Sequence, residues 1–167
     1  MDPNRVAELM TAAIVAGAIA MVVAATRPRG RRLLTRHATQ AAALVAVAAT
    51  LGSLWFSERA GFTPCELCWY QRIAMYPLAL ILPIAAVRRD RRAFTYALPL
   101  AVIGALVAAW HVRDQLFPDS AGSCDLFAPC TARWVDGFGF VTIPMMAGGS
   151  FLLIAALGAW ALRHPGR

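Results

Sequence analysis

The sequence predicts an all-α, polytopic membrane protein: a four-helix transmembrane bundle plus one extra N-terminal transmembrane helix. Three observations carry that prediction. Of 167 residues, 59% are hydrophobic and 15% charged, and the mean hydropathy is +0.58, too apolar a balance for an ordinary water-soluble domain. The apolar residues fall in stretches of about 18 to 22, the length a helix needs to cross a bilayer. The formal charge of +7 rests on 16 basic residues, all of them arginine, and they sort by segment in a way that reports membrane topology.

The first apolar run, Leu9 to Thr26, is preceded by Asp2, Glu8 and a single Arg5, and is followed at once by Arg27, Arg29, Arg31, Arg32 and Arg36. A secretory signal has the reverse order, so this run is expected to be retained as a helix with its N-terminus outside. Four further spans follow at about Ala38 to Phe56, Trp69 to Val87, Ala93 to Leu116 and Phe138 to Leu162. The chain thus divides into an extra helix with an Arg-rich cytoplasmic loop (1–36) and a bundle (37–167).

Segments 27–36, 88–92 and 163–167 hold five, four and two arginines against one acid, Asp90, whereas the rest of the chain holds five arginines and eight acids. The positive-inside rule places those segments in the cytoplasm, with loops 57–68 and 117–137 facing outward. The runs RPRGRR and RRDRR resemble nucleic-acid patches in isolation, but between spans they read as anchors to anionic lipid. Trp55, Trp69, Tyr70, Trp110 and Trp134 fall near outer span ends and Trp160 near the inner face, as interface aromatics do. Pro77, Pro83, Pro99 and Pro144 lie within spans, where membrane helices tolerate them.

Both cysteine pairs lie in the outward loops, Cys65 with Cys68 before the third span and Cys124 with Cys130 before the fifth. Disulfides form and persist outside the cytoplasm. Structural zinc accepts a Cys-x-x-Cys, but here two spans separate the pairs and the second has five intervening residues. Two inert disulfides are the plain alternative, while the tight Cys-x-x-Cys spacing is typical of thiol–disulfide exchange. Cys68 falls at or near the N-terminus of a span, where free backbone N–H groups favour a thiolate. Arg72, at i+4 from it, projects from the same face; it either snorkels to the headgroups or stabilises a thiolate and a reduced cofactor. Glu66, between the cysteines, is expected to face solvent.

The stretch Cys65-Glu66-Leu67-Cys68-Trp69-Tyr70-Gln71-Arg72-Ile73-Ala74-Met75-Tyr76-Pro77 resembles the signature of the DsbB family of quinone-linked disulfide-forming membrane proteins, especially its short BdbC-like branch. The Gly-Phe-Val-Thr-Ile-Pro stretch at 139–144 resembles the same branch, and the likeness covers roughly residues 38 to 162. It implies a relay in a bacterial cytoplasmic (inner) membrane. A DsbA/BdbD-like thioredoxin-fold partner attacks a Cys124–Cys130 disulfide through Cys124, and the released Cys130 attacks Cys65. That frees Cys68 as the thiolate passing electrons to a membrane quinone, menaquinone or ubiquinone. The resemblance places Arg72 and His111 beside the quinone; without it, His111 next to Trp110 reads as a wet interfacial side chain. A segment carrying Trp134, Phe138 and Phe140 is expected to dip into the interface and bring Cys130 within reach of Cys65.

Two other readings compete. A vitamin K epoxide reductase-like protein shares the bundle and the quinone chemistry, but that family places its Cys-x-x-Cys late in the chain, and here it comes first. The other is a non-enzymatic membrane protein with two structural disulfides. No nucleotide, dinucleotide or metal motif is present, and the role of the extra helix is open.

Overall fold

The computed structural model describes residues 2–120 and 128–164. Cys124 falls outside them. Five helices carry the fold: α1 Pro3–Thr26, α2 Pro28–Glu58, α3 Glu66–Arg88, α4 Phe94–Leu116 and α5 Ile143–Arg163. All five are long and apolar enough to cross a membrane, and no β-strand occurs among the described residues. The chain is a multi-pass helical membrane protein, as its composition predicts.

Helices α2 to α5 form a ring in chain order, α2 against α3, α3 against α4, α4 against α5, and α5 back against α2. Short connections make α2, α3 and α4 antiparallel neighbours, whereas α5 returns to α4 and α2 after the long loop 117–142. Helix α1 lies outside the ring, packed on α2 and α5. The core sets Leu78 and Leu82 of α3, Phe94 of α4, and Phe151 and Ile154 of α5 against an alanine face of α2, Ala38, Ala42 and Ala46. Lipid tails are as apolar as leucine, so close approach of small residues, not exclusion from water, holds such helices together. Phe94 shows the principle, seated where a Cβ on Gly158 would come within 2.7 Å of its ring.

Helices α1 and α3 start before their expected spans, at Pro3 and Glu66, and two further boundaries differ for a reason the structure shows. Residues 28–36, expected as an Arg-rich loop, are the first turns of α2, and only Arg27 separates it from α1. Pro28 supplies a preset helical φ at the start of α2, and a Cβ on Gly30 would overlap Ala24, so this tight reversal depends on both residues. The last helix starts at Ile143 instead of Phe138. Residues 137–141 close a turn in which Gly137 N–H donates to Val141 O (2.9 Å) and Val141 N–H to Gly137 O (2.8 Å). Phe138 (φ 51°) and Gly139 (φ 82°) are left-handed there, which no right-handed helix accommodates.

Each end of the bundle is fastened by its own polar contacts. At the Arg-rich end, Trp160 donates to Thr35 Oγ1 (3.2 Å), stacks on His164 and lies under Arg31. At the cysteine end, Asp2 caps α1 by accepting from Asn4 N–H (3.0 Å), and Asn4 Oδ1 accepts from Asp136 N–H (3.1 Å).

Candidate active site

An extended segment, Thr63-Pro64-Cys65, delivers the chain to α3, and Cys65 is the N-cap (φ −75°, ψ 174°). Its Sγ accepts the backbone N–H of Cys68 at 3.3 Å. N-cap side chains serve the N–H groups two or three residues on, so the Cys-x-x-Cys spacing is itself a capping spacing. Both residues are thiols, their sulfurs 2.9 Å apart, with Cys65 buried and Cys68 half-buried.

His111 of α4, 2% exposed, completes this cluster. Gln71 Nε2 lies 3.0 Å from His111 Nδ1. An amide NH2 can only donate, so the network assigns the lone pair to Nδ1 and the proton to Nε2. That Nε2–H faces the Cys130 carbonyl at 3.0 Å and Cys65 Sγ at 3.6 Å. Cys65 is thereby held well below the usual thiol range of 9, at about 5. The Cys68 hydrogen bond is the largest cause; burial opposes it, and His111 and the Cys68 N–H add to the lowering. The sequence expectation put the anion-favouring position at Cys68. The structure converges those contacts on Cys65, because first-turn N–H groups point back toward the cap residue.

Cys130 is disulfide-bonded and buried, and it packs with Ala128 against Cys65, Leu67 and Cys68. The second outward loop is fastened to α4 by His111 at Cys130 O and by Gln115, whose Nε2 donates to Ala132 O at 3.0 Å. Trp134 stacks on Phe62 (ring centroids 5.3 Å apart), which in turn stacks on Phe56. Phe138 and Phe140 stay exposed. The loop therefore reaches the first cysteine pair as expected, held by hydrogen bonds from α4 and aromatic stacking.

On the other side of Cys68 a cavity of about 90 Å³ opens between α2, α3 and α5, with Ser53, Cys68, Arg72, Tyr76, Trp134 and Met146 among its walls. Arg72 donates from Nε to Ser53 Oγ (3.0 Å) and from a terminal nitrogen to Ser53 O (3.1 Å), and its guanidinium lies 5.2 Å from the Trp69 ring centre. These contacts fix its orientation from above and below. The Tyr76 hydroxyl is buried with no hydrogen-bond partner. Apolar walls, an anchored cation and an orphaned phenol donor suit a flat apolar ring that carries acceptor oxygens.

Arg72 and His111 do not share this cavity. His111 lines a separate space of about 20 Å³ with Cys65, Cys68 and Gln115. Successive helical residues differ by about 100°, so Gln71 faces α4 and His111 while Arg72 faces α2. Arg72 lines the larger space and His111 the smaller one, while Cys68, Trp134 and Ile143 border both. Cys65, Cys68 and His111 also bring three metal-ligating atoms within 4.8 Å, yet Nε2 is the atom that donates to Cys130 O, so a metal would have to displace that proton. Glu66 is exposed and accepts from Tyr70 OH at 2.7 Å, facing solvent as expected. Gln71, Gln115, Ser53 and Tyr76 are site residues that sequence reasoning passed over. Their signal was polarity within or beside apolar spans, where polar side chains need partners.

Comparison with known proteins identifies the family. The family model for Disulfide bond formation protein DsbB matches residues 35–163, the ring without α1. Disulfide bond formation protein C of Bacillus subtilis (strain 168) is 50% identical over 113 residues, covering 66% of this chain and 82% of that protein. A probable disulfide formation protein of Oceanobacillus iheyensis is 43% identical over 143 residues, covering 80% of this chain and 97% of its own length. No solved structure gives a significant match. With more than half of its length matched by that family model, the chain belongs to the DsbB family of disulfide bond formation proteins.

Proposed function

We propose that this protein is a quinone-dependent thiol oxidase of a bacterial cytoplasmic membrane, with its cysteine loops outside and its Arg-rich end in the cytoplasm. It takes two electrons from an extracytoplasmic DsbA/BdbD-like thioredoxin-fold dithiol and so supports disulfide formation in exported proteins. One observation carries the reading: the Cys65–Cys68 pair lies between Cys130 on one side and the Arg72 cavity on the other.

In the oxidising half, a partner thiolate attacks Cys124 of a Cys124–Cys130 disulfide and expels Cys130. The second partner thiol then displaces Cys124, leaving an oxidised partner and two reduced loop cysteines. Cys130 attacks Cys65 of the oxidised Cys65–Cys68 pair and expels Cys68; Cys124 then attacks Cys130, restoring the loop disulfide and leaving the Cys65/Cys68 dithiol. Each exchange is an attack of thiolate on sulfur, so it runs fastest where the leaving thiolate is stabilised. His111 supports this step, since its fixed Nε2–H holds Cys130 beside Cys65 and stabilises negative charge on Cys65.

A quinone in the cavity supplies a two-electron, two-proton acceptor for that dithiol. Around it, Cys68 is the sulfur that lines the cavity, Arg72 supplies a fixed positive charge, Tyr76 has a hydroxyl proton to donate, and Trp134 of the second outward loop adds an aromatic wall. The test is turnover of purified protein with excess quinone and a reduced thioredoxin-fold partner. Quinone is consumed by the wild type, and Cys68→Ala or Cys130→Ala stops it. Full turnover in either variant refutes the relay.

A further inference from the structure

The cavity has a wall that lies outside the family-matched segment. Met10 of α1 reaches it, together with α2, α3 and α5, whereas the family model begins at residue 35. The seat is tight: Gly52 of α2 is buried, and a Cβ there would overlap the Met10 thioether. Further along α1, Ile14 packs where a Cβ on Gly149 would be 3.1 Å away, and Gly17 faces Leu153 of α5 at the same distance. At the cysteine end, Ala7 is fully buried among Phe56, Val135, Val141 and Met146, and Asn4 holds Asp136, two residues from Trp134. One helix therefore touches the cavity, two of its neighbouring helices and the loop that contributes Trp134 to its lining.

We propose that α1 forms a fifth wall of the ligand cavity and that Met10 is a specificity-determining residue, setting which quinone rings fit beside Cys68 and Arg72. The inference rests on the quinone reading above. Methionine suits the position because its unbranched thioether fills irregular space and packs well on flat π-systems. A side chain inserted from α1 also closes the cavity on the side where α2 and α5 would otherwise face lipid. Leu9, the preceding residue, is 62% exposed and points away, which makes it the control.

The test measures binding of two tail-less probes, menadione and a dimethoxybenzoquinone, to the oxidised full-length protein by quenching of tryptophan fluorescence. Photolabelling of the wild type with an azido-naphthoquinone accompanies it. Met10→Trp is expected to weaken both Kd values at least tenfold, and Met10→Ala to change their ratio at least threefold. Leu9→Trp is expected to leave both unchanged, and the label to appear on the peptide containing Met10. If the wild type binds both probes but the Met10 variants match the Leu9 control and α1 carries no label, this inference is overturned while the quinone reading stands. If the wild type binds neither probe, both are overturned together. Labelling needs no substitution, so misfolding of Met10→Trp leaves the proposal open to refutation.

Discussion

The shared proton of the Cys65/Cys68 dithiol can be titrated directly. In a Cys124→Ser/Cys130→Ser background, which leaves only this pair, thiolate absorbance of the reduced protein near 240 nm is followed from pH 4 to 10. Cys65 is expected to ionise at about 5 instead of 9. At pH 7 that raises its thiolate fraction from about 1% to about 99%. The sign follows from a depressed folded-state value: the stabilisation is complete above pH 9, declines as pH falls toward 5, and is absent below. At pH 7 it amounts to about 3 kcal/mol in favour of the folded, reduced state. The same stabilisation of the reduced form makes the pair more oxidising. The causes can be tested by substitution. Cys68→Ala removes the largest single cause and raises the midpoint, because burial then dominates; His111→Ala removes a hydrogen bond and a charge interaction and raises it too. A midpoint of 8 or above in the background protein refutes the assignment of Cys65 as the stabilised thiolate, and so does a midpoint that Cys68→Ala leaves unchanged.

Two further substitutions probe the cavity and the core separately. Arg72→Ala removes the cation that α2 holds through Ser53, and the expected result is a severalfold higher apparent quinone KM with an unchanged melting temperature; unchanged KM and kcat would return Arg72 to an interfacial anchor. Phe94→Ala empties the pocket beside Gly158 at the far end of the bundle, so thermal unfolding in detergent should show a loss of about 3–5 kcal/mol. Quinone KM should not change, and a melting temperature equal to wild type would mean the helices close over the void.

Much of this protein was legible in its residues. Span length and arginine asymmetry are local properties that any apolar helix must satisfy in lipid, so the five helices and the shared end for both cysteine loops follow from sequence. The Cys-x-x-Cys with Arg72 carried the family resemblance, and the family match bears it out. The helix ends at Pro28 and Ile143 were less legible, because they depend on a close approach at Gly30 and a left-handed turn at Phe138 and Gly139.

Tertiary structure decided what surrounds the sulfurs. Whether Cys65 or Cys68 gathers the donors depends on which residue caps α3, and on His111 arriving from a helix 46 residues away. That Gln71 meets His111 of α4 while Arg72 meets Ser53 of α2 follows from the rotation of α3 between them, which no local pattern encodes. Tyr76 and Met10 look like ordinary span residues in the sequence, and only the packing of α1, α2, α3 and α5 around one cavity sets them apart. Local sequence determined where each helix lies and which end bears sulfur, since lipid imposes those constraints residue by residue. The chemistry of that sulfur was left to contacts between helices.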